Sequence, residues 1–461
     1  VMQDVVVRDL NKDRLALTDR IDKVLVNTIL GPLIMFAVMY AMFYVTFEVG
    51  AYPQGWVEDA FSWLGEAVTN IVPEGQLQSL LVSGLIDGVG GVVSFVPLIA
   101  IMFLFIAFLD DSGYMARIAY MLDRIFRIFG LHGASVMPYI VSGGIAGGCA
   151  IPGAMATRTL RSPKEKLATL LTLPFMTCGA KLPVFLLLAG VFFPDNAAGV
   201  MFGLMLTGWA FALIVARLLR STIIKGQATP FIMELPPYRM PTLRSVLMHC
   251  WERTWMYLKK AGTILVAVSI LIWASMNYPQ MDEKQAAMYE EAVTAAEAKL
   301  EGVDEKAPEY EALKSAVEDA KNEQSSAELK NSFAGRLGRA IEPVTLPAGF
   351  DWRTDIALLG GIAAKEAILS TLGTAYSLGE VDPEDAPSLS ERLSKDPGWS
   401  KSVALSLMLF VLLYSPCFVA LVVIKEEAGS WKWLAFSLVF NTLLAYGVAV
   451  AAMRFGKVLF G

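Results

Sequence analysis

Histidine and charged residues are scarce in this chain. Only two of its 461 residues are histidine, and 18% are charged, against the roughly 25% that is usual for soluble domains. Two histidines exclude a high-affinity metal site built mainly from imidazole ligands. The sequence has no G-x-x-x-x-G-K-[ST] loop and nothing that resembles a catalytic triad. These absences exclude a Walker-type nucleotidase within the sequence and predict a protein that is not an enzyme.

Cysteine is also sparse, and its positions do not suggest a secreted disulfide framework. The four cysteines are Cys149, Cys178, Cys250 and Cys417. At least three of them lie in apolar segments, where reduced thiols or metal ligands are expected rather than extracellular disulfides. Residues 1–20 are charged and contain no apolar core of a signal peptide, so no cleavable leader is expected.

Long apolar runs dominate the rest of the sequence. Hydrophobic residues make up 55% of the chain, and the mean hydropathy is +0.52. Since a membrane helix needs about 20 apolar residues, we predict an all-α polytopic membrane protein with about eight transmembrane helices. The predicted spans lie near 28–47, 95–110, 167–193, 197–219, 258–277, 355–374, 403–424 and 432–453.

Basic residues indicate how the chain is oriented. Lysine and arginine cluster before the first span and again in 117–127, 158–166 and 217–260, and such clusters favour the cytoplasmic side. We therefore expect a cytoplasmic N-terminus and a segment 133–157 that enters and leaves the membrane on one side. The C-terminus lies inside if 355–374 crosses the membrane, and outside if that segment is re-entrant.

Two pairs of segments interrupt the apolar pattern. The glycine-rich run 143–153 and the cysteine- and lysine-containing run 173–183 lie in the first half, and 360–366 and 414–417 lie in the second. Irregular backbone at membrane depth persists only where it is buried in protein or lines a wet cavity. Paired interruptions indicate the binding site of a transporter. Because soft and ionisable side chains lie in both pairs, we predict two repeats with broken or re-entrant helices and a cation as the passenger.

The side chains in these segments define a candidate ion path. Thiolates suit Fe(II), Zn(II) and Cu(I), so three cysteines are candidate metal ligands, although a buried cysteine is often only a packing residue. Ionisable groups within a span are functional by default, but Lys181 and Glu366 could instead form a structural pair between the halves. Cys250 is expected to pack. The candidate metal ligands are Cys149, Cys178 and Cys417. The full candidate path is Cys149, Pro152, Met155, Cys178, Lys181, Lys365, Glu366, Pro416 and Cys417, with Asp110 and Asp111 as an acidic vestibule or a helix cap.

Two regions outside the predicted spans have distinct compositions. Aromatic and acidic residues alternate at helical spacing in 54–92, which indicates an interfacial segment. The region 281–331 is rich in glutamate, alanine and lysine and predicts a solvated helical hairpin. The sequence as a whole divides into four predicted parts. They are a cytoplasmic juxtamembrane helix (1–27), a first membrane half (28–277) with an interrupted region at 133–193, an acidic helical excursion outside the membrane (278–350), and a second membrane half (351–461) with an interrupted region at 355–424.

Several motifs resemble those of the FeoB ferrous iron transporters. They occur in order between about Leu15 and the C-terminus, at 109–117 (Leu-Asp-Asp-Ser-Gly-Tyr-Met-Ala-Arg), 148–160, 176–183, 233–239 (Met-Glu-Leu-Pro-Pro-Tyr-Arg), 251–253, 350–353 and 363–366. The sequence also departs from the family pattern. Gly153 stands where alanine is usual, Gly179 where serine is common, and Lys181 where arginine is common.

The resemblance implies uptake of Fe(II) as substrate across the bacterial inner membrane, between two gate segments at 133–193 and 355–424. The three candidate cysteines would be transient ligands, and Pro152 and Pro416 would break helices so that carbonyl groups can join them. It also implies a GTPase, in cis or in trans, that would bind GTP and Mg²⁺. These transporters normally begin with such a domain, so we expect either a piece of a longer protein or a separate GTPase polypeptide.

Further partners and alternative functions follow from the same comparison. FeoA-like or FeoC-like small proteins, the lipid bilayer and a second copy of the chain are expected partners, whereas nucleic acid and a tightly bound cofactor are not. Gate segments also resemble those of nucleoside permeases, so a permease for a nucleoside or another divalent metal is one alternative. A membrane receptor that anchors a GTPase without conducting ions is the other.

Overall fold

The computed structural model describes residues 10–27, 29–73, 75–94, 96–144, 148–160, 162–226, 237–300, 310–363, 365, 367–376 and 386–460. Across these ranges the protein is helical, and extended pairing is limited to one bridge between Gly148 and Cys178. The predicted all-α polytopic architecture is confirmed.

The N-terminal helices pack against one another. They are α1 (Leu10–Leu25), α2 (Leu30–Ile71), α3 (Gln76–Ser79), α4 (Gly88–Val93) and α5 (Val96–Asp111), with a π-helical turn over Leu80–Asp87. With a rise of about 1.5 Å per residue, α2 is roughly 63 Å long, about twice the hydrocarbon thickness of a bilayer. The predicted first span and the start of the predicted interfacial segment 54–92 therefore belong to one continuous helix.

A sharp turn separates α5 from α6 (Tyr114–Ile128). The two helices meet at 83°, and the turn uses Gly113 with φ of 83°. Glycine adopts this left-handed conformation without a steric penalty, whereas other residues rarely do. Helix α6 is amphipathic, with Ile118 and Phe126 buried and Tyr120 exposed. The predicted span 95–110 thus ends where the chain changes direction.

The first interrupted region contains short helical pieces rather than continuous spans. They are a 3-10 turn Gly133–Ser135, α7 (Val136–Tyr139), a π-helical turn Ile140–Gly144, α8 (Ala150–Ala156), a 3-10 turn Thr157–Thr159, α9 (Pro163–Thr172), 3-10 turns Leu173–Phe175 and Gly179–Lys181, and α10 (Leu182–Phe192). The arm formed by α7 and the π-helical turn packs against α8. The two arms of segment 133–157 therefore lie against each other, and its entry and exit on one side of the membrane stay a prediction.

The remaining helices complete the two halves. They are α11 (Ala197–Thr222), α12 (Leu243–Asn277), α13 (Glu283–Leu300), α14 (Tyr310–Asn331), α15 (Phe333–Thr345), α16 (Trp352–Ala363), α17 (Ala367–Ala375), α18 (Ala386–Lys395), α19 (Lys401–Leu413), α20 (Phe418–Ala428) and α21 (Trp431–Phe460), with 3-10 turns at Pro194–Asn196 and Leu346–Ala348. Helices α13 and α14 pack on each other within the predicted excursion. Leu329 near the end of α14 packs with Ile356 and Ala375 of the second half.

In the described part of the chain, four helical segments are long and apolar enough to cross a membrane. They are Leu30–Ile71, Pro194–Thr222, Lys401–Ala428 and Trp431–Leu459, and the bent pair α5–α6 adds a fifth if it counts as one span. The predicted spans 167–193 and 355–374 correspond to the broken pairs α9–α10 and α16–α17, and 258–277 is the second part of α12. In the α9–α10 pair, Pro174 lacks the backbone N–H that a continuous helix would need.

The core lies around the α19–α20 segment. Of its apolar stretch 78% is buried inside the protein, against 20–22% for the other three long segments. Helix α19 contacts α10, α11 and α21, and α20 contacts α8, α9 and α21. The central segment of the second half thus lies directly against the interrupted region of the first half, and this contact positions the site.

Candidate functional site

A backbone bridge joins the two interrupted segments of the first half. Gly148 pairs with Cys178, and the Gly179 amide donates to the Gly148 carbonyl at 2.9 Å. The Cys149 amide donates to the Val141 carbonyl at 3.1 Å, which fixes the turn between the hairpin arms. The bridge therefore pairs Cys178 with the residue that precedes Cys149, so the two predicted segments lie on adjacent backbone.

Close backbone contacts explain why this hairpin is rich in glycine. Gly143 has a φ of 116°, and a Cβ atom there would lie 2.2 Å from the Thr177 carbonyl oxygen. A Cβ atom at Gly153 would lie 1.7 Å from the Ser142 hydroxyl oxygen. Only glycine allows the arms to approach each other and the 177–178 segment this closely.

The second half contributes the break between α19 and α20. Tyr414–Cys417 are not helical, and Tyr414 and Ser415 are fully buried. The last carbonyl groups of a helix have no partner within it, and Pro416 has no N–H to donate. Carbonyl oxygens at this break therefore need partners from elsewhere in the protein.

Lys181 supplies one such partner and links the two halves. Its side chain is 2% exposed. Its ammonium donates to the carbonyl oxygens of Pro174 at 3.0 Å and Met176 at 3.3 Å in the first half. It also donates to the carbonyl oxygen of Leu412, near the end of α19, over a distance of 2.7 Å. The positive charge of this buried lysine is thus stabilised by hydrogen bonds to three backbone carbonyl dipoles rather than by a carboxylate.

Lys365 supports the same break from within the second half. It is also buried, and its ammonium donates to the Ser415 carbonyl at 2.6 Å and lies 2.9 Å from the centre of the Tyr414 ring. Glu366, the expected partner of Lys181 or Lys365, lies outside the described residues. The alternative of a structural pair between Lys181 and Glu366 therefore stays a prediction.

The cysteines of the two halves lie at breaks that share one lysine. Lys181 donates to the Met176 carbonyl, two residues before Cys178, and to the Leu412 carbonyl, five residues before Cys417. In the ranges that the structure describes, no three His, Cys, Asp or Glu side chains converge as they would in a closed metal site. The arrangement can thus present thiols to a passing ion from two sides, and the ligand role of Cys149, Cys178 and Cys417 stays a prediction.

The other predicted residues occupy different surroundings. Pro152 is buried in α8, and Met155 is half-buried and packs against the core. Asp111 accepts a hydrogen bond from the Ser245 hydroxyl at 3.1 Å, and the Asp110 carbonyl accepts one from the Gly113 amide. Both aspartates thus lie where α5 ends beside the start of α12. The Cys250 thiol donates to the Ala100 carbonyl at 3.1 Å, which links α12 to α5.

Sequence reasoning missed three hydroxyl groups beside the interrupted segments. The Ser142, Thr177 and Tyr414 oxygens are buried, and none has a hydrogen-bond partner within the described structure. Ser142 directly precedes Gly143, and Thr177 directly precedes Cys178. Their positions next to the glycine and cysteine motifs are the feature of the sequence that could have identified them. These oxygens add hard donors next to the soft thiols.

An ionic contact at one end of the site was also missed. A glutamate at the end of an apolar helix is ordinarily solvated, but the Glu427 side chain is only 5% exposed. Its carboxylate accepts from Arg158 at 2.6 Å and from Lys166 at 3.0 Å. Helix α20 packs against α8 and α9, which brings the end of the second half onto the first.

A second buried cluster joins α1 to α6 and to the loop before α12. Arg117 is fully buried, pairs with Asp22 at 3.0 Å, and lies 4.2 Å from the centre of the Tyr238 ring. The Tyr238 hydroxyl donates to Asp22 at 3.0 Å. Burial, together with the hydrogen bond to Asp22, raises the pKa of Tyr238 above its ordinary value, so the hydroxyl remains a donor.

Comparison with known proteins places these features in context. A family profile described as "Ferrous iron transport protein B C terminus" matches residues 201–253, and one described as "Nucleoside recognition" matches 92–192 and 258–431. No solved structure matches the chain.

Curated relatives cover nearly the whole chain. The Fe(2+) transport protein A/Fe(2+) transporter FeoB fusion protein of Porphyromonas gingivalis is 42% identical over 96% of this chain and 52% of its own length. The Fe(2+) transporter FeoB of Campylobacter jejuni is 37% identical over 97% of this chain and 67% of its own length. The Fe(2+) transporter FeoB of Methanocaldococcus jannaschii is 34% identical over 99% of this chain and 62% of its own length. The chain thus spans between half and two thirds of the length of these relatives.

Proposed function

Because this chain belongs to the FeoB family, we propose that it forms the membrane path through which Fe(II) crosses the bacterial inner membrane into the cytoplasm. The observation that carries the proposal is that Lys181 donates to carbonyls at both helix breaks, Met176 two residues before Cys178 and Leu412 five residues before Cys417, which brings the two breaks together. The Fe(2+) named for the relatives supports iron as the cargo.

The chemistry of the site suits transient binding of Fe(II). Borderline cations accept thiolate together with oxygen ligands, and the site offers Cys149 and Cys178 on adjacent backbone, with Cys417 on the facing break. The buried hydroxyls of Ser142 and Thr177 are further candidate ligands. Conduction requires binding that is weak and distributed over several sites, so an incomplete ligand set favours passage over storage.

We also propose control by a GTPase, in cis or in trans, that supplies the GTP and Mg²⁺ sites, while this chain is a transporter and not an enzyme. The family relationship supports this, and α1 is a route for the coupling because Asp22 ties it to Arg117 of the membrane part. The fusion relative supports an FeoA-like partner. A cytoplasmic N-terminus, an FeoC-like partner and a homo-oligomer stay predictions.

Flux measurements with the purified chain in proteoliposomes test the transport proposal. Anaerobic uptake of labelled Fe(II) is compared among the parent, the triple variant Cys149→Ser/Cys178→Ser/Cys417→Ser, and the matched control Cys250→Ser. Serine keeps the size of cysteine but removes the soft ligand. We expect the triple variant to lose most of the initial rate and Cys250→Ser to keep it. Parent-like uptake by the triple variant would show that these thiols are not ligands.

Cargo selectivity is tested with the same vesicles. Parallel uptake of a labelled nucleoside and of Zn(II) and Mn(II) distinguishes an iron path from a permease of another specificity. Absence of flux for every solute, also after addition of a GTPase partner with GTP, would instead favour a non-conducting receptor.

A further inference from the structure

The carbonyl groups at the two helix breaks form an enclosed acceptor site. The Pro174 and Met176 oxygens belong to the break between α9 and α10, and the Leu412 oxygen belongs to the last turn of α19. All three converge on one point, although Leu412 lies 231 residues from Lys181 along the chain. Three convergent carbonyl oxygens in a dry interior are a typical site for a monovalent cation or an ammonium group.

We propose that these three carbonyls constitute a cation-binding site shared between the membrane halves, and that the Lys181 ammonium is its permanently tethered ligand. The three donor hydrogens of an ammonium match three acceptors, whereas a neutral amine has two. The site therefore accepts a small primary ammonium ion from solution once the lysine side chain is removed.

This assignment gives Lys181 a role different from that of Lys365. The Lys181 ammonium holds acceptors from both halves, so separating the halves at the breaks requires it to leave at least one oxygen. Lys365 is equally buried, and its ammonium donates to the Ser415 carbonyl of the second half rather than to the three carbonyls that Lys181 contacts.

Chemical rescue of stability tests the proposal without using transport. Lys181→Ala removes the atoms from Cγ to Nζ, which correspond to propylammonium. We expect this variant to unfold at a lower temperature than the parent in detergent. Added propylammonium should restore at least half of that loss along a saturable curve. Tetramethylammonium, which has no N–H donor, should not restore it, and the parent, in which Lys181 fills the site, should not respond to propylammonium.

Lys181→Met provides the second variant, because methionine fills the cavity but leaves the carbonyls without a donor. We expect a lower unfolding temperature that propylammonium does not restore. If Lys181→Ala cannot be recovered folded, its yield of monodisperse protein after growth and purification with propylammonium is measured, and no increase counts against the proposal. A Lys181→Met protein as stable as the parent, or equal effects of propylammonium and tetramethylammonium on Lys181→Ala, would overturn it. Because the experiment measures thermal stability, its result does not depend on whether the chain transports iron.

Discussion

Glu427 offers the sharpest test of how the two halves are held together. Its carboxylate, at the end of α20, accepts hydrogen bonds from Arg158 and Lys166 of the first half. The substitution Glu427→Gln keeps the shape of the side chain but removes its charge. One amide oxygen can still accept from one cation, while the amide nitrogen then faces the other.

The expected cost follows from the exposure of the partners. Arg158 is 53% exposed and can regain water, so its pair contributes on the order of 0.2–1 kcal/mol. Lys166 is 23% exposed, and a hydrogen bond between charged groups in such a setting contributes about 1.5–3 kcal/mol. We therefore expect Glu427→Gln to lower the free energy of unfolding by about 2 kcal/mol.

Unfolding of the purified protein with SDS in mixed micelles measures this loss. Asp195→Asn removes a carboxylate from an exposed turn and is the control, with a smaller expected loss. A double-mutant cycle of Glu427→Gln with Lys166→Met should show coupling of about 0.5–3 kcal/mol, since the two groups are in contact. Additive effects in this cycle, or equal losses for Asp195→Asn and Glu427→Gln, would refute the assignment of the ionic contact.

Three further predictions concern other parts of the fold. Asp22→Asn leaves the buried Arg117 without its carboxylate and should cost up to about 3–5 kcal/mol, measured by the same SDS titration; parent-like stability would contradict the buried pair. Gly153→Ala places a methyl group 1.7 Å from the hydroxyl oxygen of the facing arm and should destabilise by about 1–3 kcal/mol, whereas Gly190→Ala, with no atom within 4 Å of the added Cβ, should be nearly silent. Replacing 283–325 with a Gly/Ser linker should leave Fe(II) uptake within a few-fold, and a complete loss in a normally expressed variant would assign a gating role to that hairpin.

Local sequence patterns were sufficient for the class of protein and for the location of the interruptions. Apolar run length predicts membrane helices because each backbone group in the bilayer must be satisfied within its own helix. Glycine and proline near Cys149, Cys178 and Cys417 predict broken helices because these residues disturb helical hydrogen bonding wherever they occur. The length of α2 was less accessible, because Gly50, Pro53 and Gly55 signal a helix end, yet the helix continues through them to Ile71.

The tertiary structure alone decided which groups meet. The sequence indicates that Lys181 is buried and needs a partner, but its partners are backbone carbonyls, which every residue carries and no side-chain pattern marks. Likewise, Glu427 resembles an exposed helix end until α20 is packed against α8 and α9. Hydropathy and helix-breaking residues act over one or two helical turns, so their effects can be recognised in the sequence. Contacts between residues more than 200 positions apart depend instead on how the two halves pack.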